Sequence, residues 1–209
     1  KLHHYQRFME EIINSVWFII SGYLIGIISI IVAVVTYRKS KVIKRPCAFN
    51  RTNNLISKSK NTISDIQITA EYKGVPVETL SYTKVAFYNA GKRTIKNSDL
   101  TQIDPLRIEI EDEVIYDYEI IYFSKEANNF KLDKVVGHTV LINFDYIDFK
   151  QGVIIKIIHS GNTPTYTSKN LKVKGTVIGA KKIETPHPSF PPTNFLLASE
   201  IFYEDEILI

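Results

Sequence analysis

The chain has 209 residues, with 26 Lys and Arg against 22 Asp and Glu, and one cysteine, Cys47. A single cysteine excludes an intrachain disulfide, as expected in a reducing compartment. Residues 1–60 hold ten basic and two acidic groups (net +8) and residues 61–209 hold 16 and 20 (net −4), so the excess positive charge lies outside the larger part of the chain; a DNA or RNA partner is not expected of such a domain.

Residues 1–15 form an N-terminal flank. From Val16 to Val35 there are 20 residues without a charge, which as a helix span about 30 Å, the hydrocarbon thickness of a bilayer. A cleaved secretion signal needs a shorter apolar run and a small-residue cleavage site; here the run ends in Val34-Val35-Thr36-Tyr37 and then charge. The sequence therefore predicts one transmembrane helix over 16–37. Arg38, Lys39, Lys41, Lys44 and Arg45 follow it, against Lys1 and Arg7 before it. The positive-inside rule then places the C-terminal part in the cytoplasm, at the inner (plasma) membrane, with those five basic groups facing anionic lipid. Gly22, Gly26, Ser29 and Ala33 fall on one stripe of the span. Small residues in that pattern let helix backbones approach in lipid, so homo-oligomerisation is expected, with a helix upstream of Lys1 as the other conceivable partner.

Residues 38–60 read as a basic juxtamembrane stalk, and 61–183 as an all-β domain. Its apolar period is two, the period of a strand: Ile66, Ile68, Ala70 and Tyr72 alternate with polar residues, as do Leu106, Ile108 and Ile110. Strands are predicted over 63–72, 80–89, 105–111, 114–123, 130–136, 138–145, 151–159 and 170–183, joined by short turns such as Lys73-Gly74 and Asn89-Ala90-Gly91. Asn89, Gly91 and Gly152 are read as turn residues supplying φ > 0. This spacing fits an antiparallel sandwich, with a small β-barrel as the alternative. Residues 184–209 divide into a Pro-rich spacer, "ETPHPSFPPTN", and an acidic amphipathic segment, "FLLASEIFYEDEILI".

"TKVAFYNAGKRTIKNSDL" (83–100) and "DYIDFKQGVIIKIIHSG" (145–161) resemble the strand–turn pattern of immunoglobulin-like bacterial domains, which implies an Ig-like β-sandwich. The layout of a short anchor followed by a compact β domain resembles bacterial anti-phage transmembrane effectors. That likeness is one of architecture; it implies a ligand-gated, nucleotide-sensing defence role and assigns no residue.

Catalytic and metal signatures are missing from the sequence. The histidines show no HxxH or HExxH spacing, so no metal or cofactor is expected. "NAGKRT" fails the phosphate-loop pattern because residue 86 is Ala and Arg93 stands where Ser or Thr is needed. His138 and His159 read as structural. The tyrosines on two strands, Tyr82 with Tyr88 and Tyr116 with Tyr118 and Tyr122, each set expected to share a face, form a candidate stacking surface. With Lys92 and Arg93 beside them, they make a candidate site for a small nucleotide. The function expected is that of a non-enzymatic binding or assembly module, the alternative being a constitutive adaptor that holds a partner protein at the membrane.

Overall fold

In a computed structural model the described residues are 2–56, 70–136, 138–161 and 170–185. The chain divides into two units, 1–41 and 42–209. The first is a single helix, α1, Leu2–Ser40. It starts well before the apolar span because residues 2–15 contain Leu, Gln, Arg, Met and Glu and no Gly or Pro to stop it. Residues 3–38 are long and apolar enough to cross a membrane, with a mean hydropathy of 2.7 in the most apolar window. Within the helix Gly22 and Gly26 leave open space around their backbones.

Among the described residues the second unit contains twelve strands: β1 (Pro46–Ile56), β2 (Ala70–Tyr72), β3 (Val75–Val77), β4 (Leu80–Asn89), β5 (Ile95–Lys96), β6 (Arg107–Ile110), β7 (Ile115–Phe123), β8 (Lys131–Val136), β9 (Thr139–Asn143), β10 (Tyr146–Ile147), β11 (Gly152–His159) and β12 (Leu171–Lys174). They form two open four-stranded antiparallel sheets, β1-β4-β11-β7 and β12-β6-β9-β8, and two small ribbons, β2-β3 and β5-β10. Neither sheet closes on itself, so the barrel alternative does not describe these strands. Alternate residues of both sheets feed one core: Val85 and Phe87 from β4, Val153, Ile155 and Ile157 from β11, Ile108 and Ile110 from β6, Val140 and Ile142 from β9. Phe144 packs beside Phe87 with ring centroids 6.3 Å apart.

The structure differs from the sequence expectations at four places. Residues 46–56, assigned to the stalk, form β1, the edge strand paired with the whole of β4. Its polar run Asn50-Arg51-Thr52-Asn53-Asn54 disguised it; ahead of that run Cys47 and Phe49 enter one face of the sheet and Ala48 the other. The predicted strand 63–72 lies outside the described residues except for β2. The predicted strand 170–183 stops at Lys174, where Gly175 turns to φ +135° and passes so close to the Leu106 backbone that no Cβ fits. Asn89, Gly91 and Gly152 are not at positive φ; that conformation falls to Lys73, Gly74, Asp112, Asn129, Lys150, Gly175 and Gly179. Gly91 and Gly152 are needed for close approach instead, since a Cβ on either would collide with the backbone of Ile43 and Arg45 or of Phe87 and Tyr88. Finally, bulges in the β7–β11 ladder at Ile154/Ile155 and Ile158/His159 separate tyrosines expected on one face: Tyr118 packs on the main core and Tyr122 on the opposite side of the sheet. A single inserted residue reverses every side chain beyond it.

Phe87→Ala is expected to lower the unfolding free energy by about 3–5 kcal/mol, because its ring is fully buried. Ile103→Ala, at a fully exposed position, is expected to change it by less than about 0.5 kcal/mol. Thermal unfolding of the full chain in detergent checks the contrast.

Candidate functional site

β4 is buried along all ten of its residues, so the first sheet is shielded on both faces. The second face, away from the main core, carries Cys47, Ala86, Tyr88 and Ile154, with Phe49, Ile121 and Tyr122 partly buried beside them. It can be read as a series of rows across the strands. Phe49, Ala86, Ile154 and Tyr122 make an apolar row. One step along each strand pair, Arg51 stands opposite Lys84, Lys84 opposite Lys156, and Lys156 opposite Glu119. The next row is Asn53, Tyr82, Ile158 and Asp117.

Three cations therefore occupy directly opposed positions on three neighbouring strands. Opposed side chains in an antiparallel pair have Cβ atoms about 4.5–5.5 Å apart, and like charges there are destabilising. Lys84 is only 3% exposed, and the Lys156 side chain 11%. Within the row Glu119 lies 3.4 Å from Lys156 Nζ, and Arg51, Lys84 and Lys156 each have a further interaction. Aromatic rings frame the row. Lys156 Nζ lies 5.9 Å from the Tyr82 ring centroid, and Asn53 donates to the Tyr82 hydroxyl at 2.7 Å. Phe49 meets Tyr88 edge-on at 6.1 Å. Burial pushes the Tyr88 phenol well above its ordinary range, with Cys47 adding to the effect. At the far end of this face Asp117 takes bonds from Lys73 (2.6 Å) and Tyr72 (3.0 Å), fastening the β2–β3 hairpin.

Of the residues singled out in the sequence, Tyr82 and Tyr88 share this face, but at six residues apart they are about 20 Å from each other. Lys92 and Arg93 lie exposed in the turn after β4, Tyr116 stacks on Tyr72 with centroids 6.0 Å apart, and Tyr118 faces the main core. The proposed combination is thus not assembled in one place. Arg51, Lys84 and Lys156 were missed, because each looks like an ordinary polar residue of an alternating strand; only the register brings them together.

The five basic residues assigned to lipid also divide. Arg38 and Lys41 are exposed, with Lys41 Nζ 4.9 Å from the Tyr37 ring; the Lys39 side chain is outside the described set. Lys44 points into the domain, where its amine meets Asp99 at 2.6 Å and the Ile178 carbonyl at 2.9 Å. Arg45 pairs with Glu184 at 2.7 Å. Burial works against the Asp99 charge, but the Lys44 bond, the Lys96 amide and nearby Arg93 hold its carboxyl below the usual range. Asn89, fully buried, organises the entry of the chain: its Oδ1 accepts from the Gly91 and Arg45 amides, and its Nδ2 donates to the Arg93 and Ile147 carbonyls.

Two other polar sites are present. A pocket of about 390 Å³ is lined by Arg107, Lys174, Lys181 and Lys182, but its Arg107 and Lys174 are already engaged by Asp104 and Glu109 at 2.6 and 3.0 Å. Inside the core face, Glu113 Oε2 lies 2.7 Å from His159 Nδ1, His159 Nε2 2.8 Å from the Thr83 hydroxyl, and that hydroxyl 2.7 Å from the Thr52 hydroxyl. The order carboxylate–imidazole–hydroxyl is that of a nucleophilic triad. Here Thr83 and His159 are wholly buried and Thr52 nearly so, and the Thr83 hydroxyl is held between two partners, so the chain ties β1, β4 and β11 together. Gly161 passes over the Glu113 carboxyl, which would have to shift to admit a Cβ there.

No protein-family model, curated protein or solved structure matches this chain. Among the described residues no group of His, Cys, Asp and Glu is arranged to hold a metal ion.

Burial holds the His159 imidazole below its ordinary value of 6.5, against the opposing pull of Glu113. The unfolded chain therefore takes up a proton first, and the stability His159 contributes is present above about 6.5 and lost as pH falls. The low Asp99 and Asp117 carboxyls act only further down, below their ordinary 3.8. The melting temperature of the full chain is expected to drop between pH 7 and 5.5. In His159→Gln, less stable at pH 7, that drop should flatten; calorimetry at the two pH values checks it.

Proposed function

We propose that this protein is a membrane-anchored, non-enzymatic binding module that takes an anionic ligand on the second face of its first sheet. In this reading α1 is the anchor and the β domain lies on the cytoplasmic side of the inner membrane. Gly22, Gly26, Ser29 and Ala33 form the self-association stripe. The observation that carries the reading is the Arg51–Lys84–Lys156 row. Cross-strand pairing sets three cations side by side, and the rings framing them suit a ligand with both a phosphate and a planar base. A small nucleotide is the ligand class that meets both demands, in line with the resemblance in layout to anti-phage transmembrane effectors.

An Ig-like sandwich is part of the proposal. The order β1-β4-β11-β7 corresponds to the A-B-E-D sheet of an immunoglobulin constant domain. The other sheet departs from the C-F-G order by carrying the β8–β9 hairpin beside β6.

The test is ATP binding by the full chain in lipid nanodiscs. ATP is expected to raise the melting temperature by mass action, and Arg51→Gln with Lys156→Gln to weaken its binding at least tenfold, without changing the fold. Gly22→Leu with Gly26→Leu is expected to abolish crosslinked oligomers. A melting temperature indifferent to ATP, GTP and pyrophosphate would favour the adaptor instead.

A further inference from the structure

We propose that the chain-entry end of the β domain is a membrane-docking surface: Ile43, Ile103 and Ile178 enter the lipid interface while Arg93, Lys181 and Lys182 lie against anionic headgroups. The inference rests on the reading of α1 as the anchor. It is independent of the ligand assigned to the Arg51–Lys84–Lys156 row.

Four segments meet at this end: 42–45, 90–94, 97–104 and 175–184. The Arg93 amide donates to the Ile43 carbonyl at 3.2 Å and the Ile178 amide to the Asp99 carbonyl at 2.8 Å. The Lys44 amine donates to the Ile178 carbonyl at 2.9 Å. Thr176 fastens the loop 101–104 at both ends: its carbonyl accepts from the Thr101 amide at 3.4 Å, and its amide donates to the Asp104 carbonyl at 3.0 Å. The Thr101 hydroxyl closes the loop on that same carbonyl, also at 3.0 Å. Ile103 stands in this closed loop with its side chain wholly exposed, and Ile178 and Ile43 are 54% and 51% exposed. Hydrogen bonds hold the backbone at or beside each of the three, so their exposure is built into the fold. Among the described residues the β domain exposes nine large apolar side chains, and four of them, these three and Val42, fall on the four segments. Apolar side chains scattered singly over a surface need no explanation; a group of them marks a contact with protein or lipid.

Charge decides between the two. The four segments hold six basic residues and three acidic ones. Each of the three carboxylates has a cation against it: Asp99 has Lys44, Asp104 has Arg107 and Glu184 has Arg45, at 2.6, 2.6 and 2.7 Å. Arg93, Lys181 and Lys182 are exposed. Exposed cations beside exposed aliphatic side chains are the composition of an interfacial membrane contact, where apolar groups enter the acyl boundary and basic groups meet anionic headgroups. The core of a protein–protein interface is depleted of lysine instead. The chain also brings the partner close. Arg38, which ends the apolar span, is five residues from Ile43, at most about 18 Å of chain. Lys44, read in the sequence as lipid-facing, is turned into the domain; Arg93, Lys181 and Lys182, remote in sequence, take its place at the surface.

The experiment places a nitroxide spin label at Ile103→Cys, Ile178→Cys, Val75→Cys or Ile31→Cys, one per full chain, in nanodiscs. It compares the label's collisions with oxygen, which concentrates in lipid, and with a nickel chelate, which stays in water. The native Cys47 is buried, and the unsubstituted chain serves as the blank. Val75, exposed in the β2–β3 hairpin, is the water reference and Ile31, in α1, the lipid reference. In phosphatidylcholine with about 30% phosphatidylserine, the labels at 103 and 178 are expected about 5–10 Å inside the headgroup boundary, and the label at 75 in water. In phosphatidylcholine alone, or with Arg93→Gln, Lys181→Gln and Lys182→Gln together, both should return to water. Labels at 103 and 178 that read water in the anionic discs overturn the proposal, and so does an equal depth in both lipids. Shielding from both probes also overturns it, assigning the patch to a protein contact. A label at 31 that reads water removes the anchor itself; lipid at 31 with water at 103 and 178 removes the docked end alone.

Discussion

Strand β4 has no side that faces water, and the rest of the domain is arranged around that constraint. Its odd-numbered residues Val85 and Phe87 enter the core shared with the second sheet, and its even-numbered Ala86 and Tyr88 enter a second apolar cluster. A central strand buried on both faces is expected in sheets covered by helices on each side. Here both faces of β4 are buried within the chain itself. Thr83 and Lys84 mark the two consequences. Thr83 is drawn into a hydrogen-bonded chain with His159 and Thr52 on one face, and Lys84 into a row of cations on the other.

Where the chain enters the domain is fixed just as firmly. Lys44 to Asp99, Arg45 to Glu184 and the Asn89 side chain to the Arg45 and Gly91 amides fasten residues 43–45 to the turn after β4 and to the segment after β12. Those residues read in the sequence as lipid-facing charge, yet Lys44 is almost wholly buried. The same contacts leave the start of β1 and residue 184 side by side. Chain entry and chain exit thus lie on one edge of one sheet, next to the face that carries the cations.

Much of the fold was legible in the sequence, because period-two alternation survives wherever a strand has one wet face. β6 and β9 show it, and the left-handed Lys73-Gly74 pair marks the β2–β3 hairpin. β1 was not legible, since a strand carrying Asn, Arg and Thr among its apolar residues looks like a linker. The bulges of β7 were also invisible, and with them the true facing of Tyr118 and Tyr122. The candidate site was almost entirely hidden. Arg51, Lys84 and Lys156 are 33 and 72 residues apart in sequence, and each became significant only through cross-strand register. Glu113 and His159 met for the same reason. Local pattern reports which face a side chain takes, and only pairing reports its neighbours.

The central claim is that both faces of the first sheet are closed around β4. Hydrogen–deuterium exchange on the full chain in nanodiscs tests it most directly. Residues 80–89 and 152–159 should be the last amides to exchange, doing so together and only through global unfolding. Exchange of residues 80–89 as rapid as that of the exposed turn at 124–127 would contradict the account.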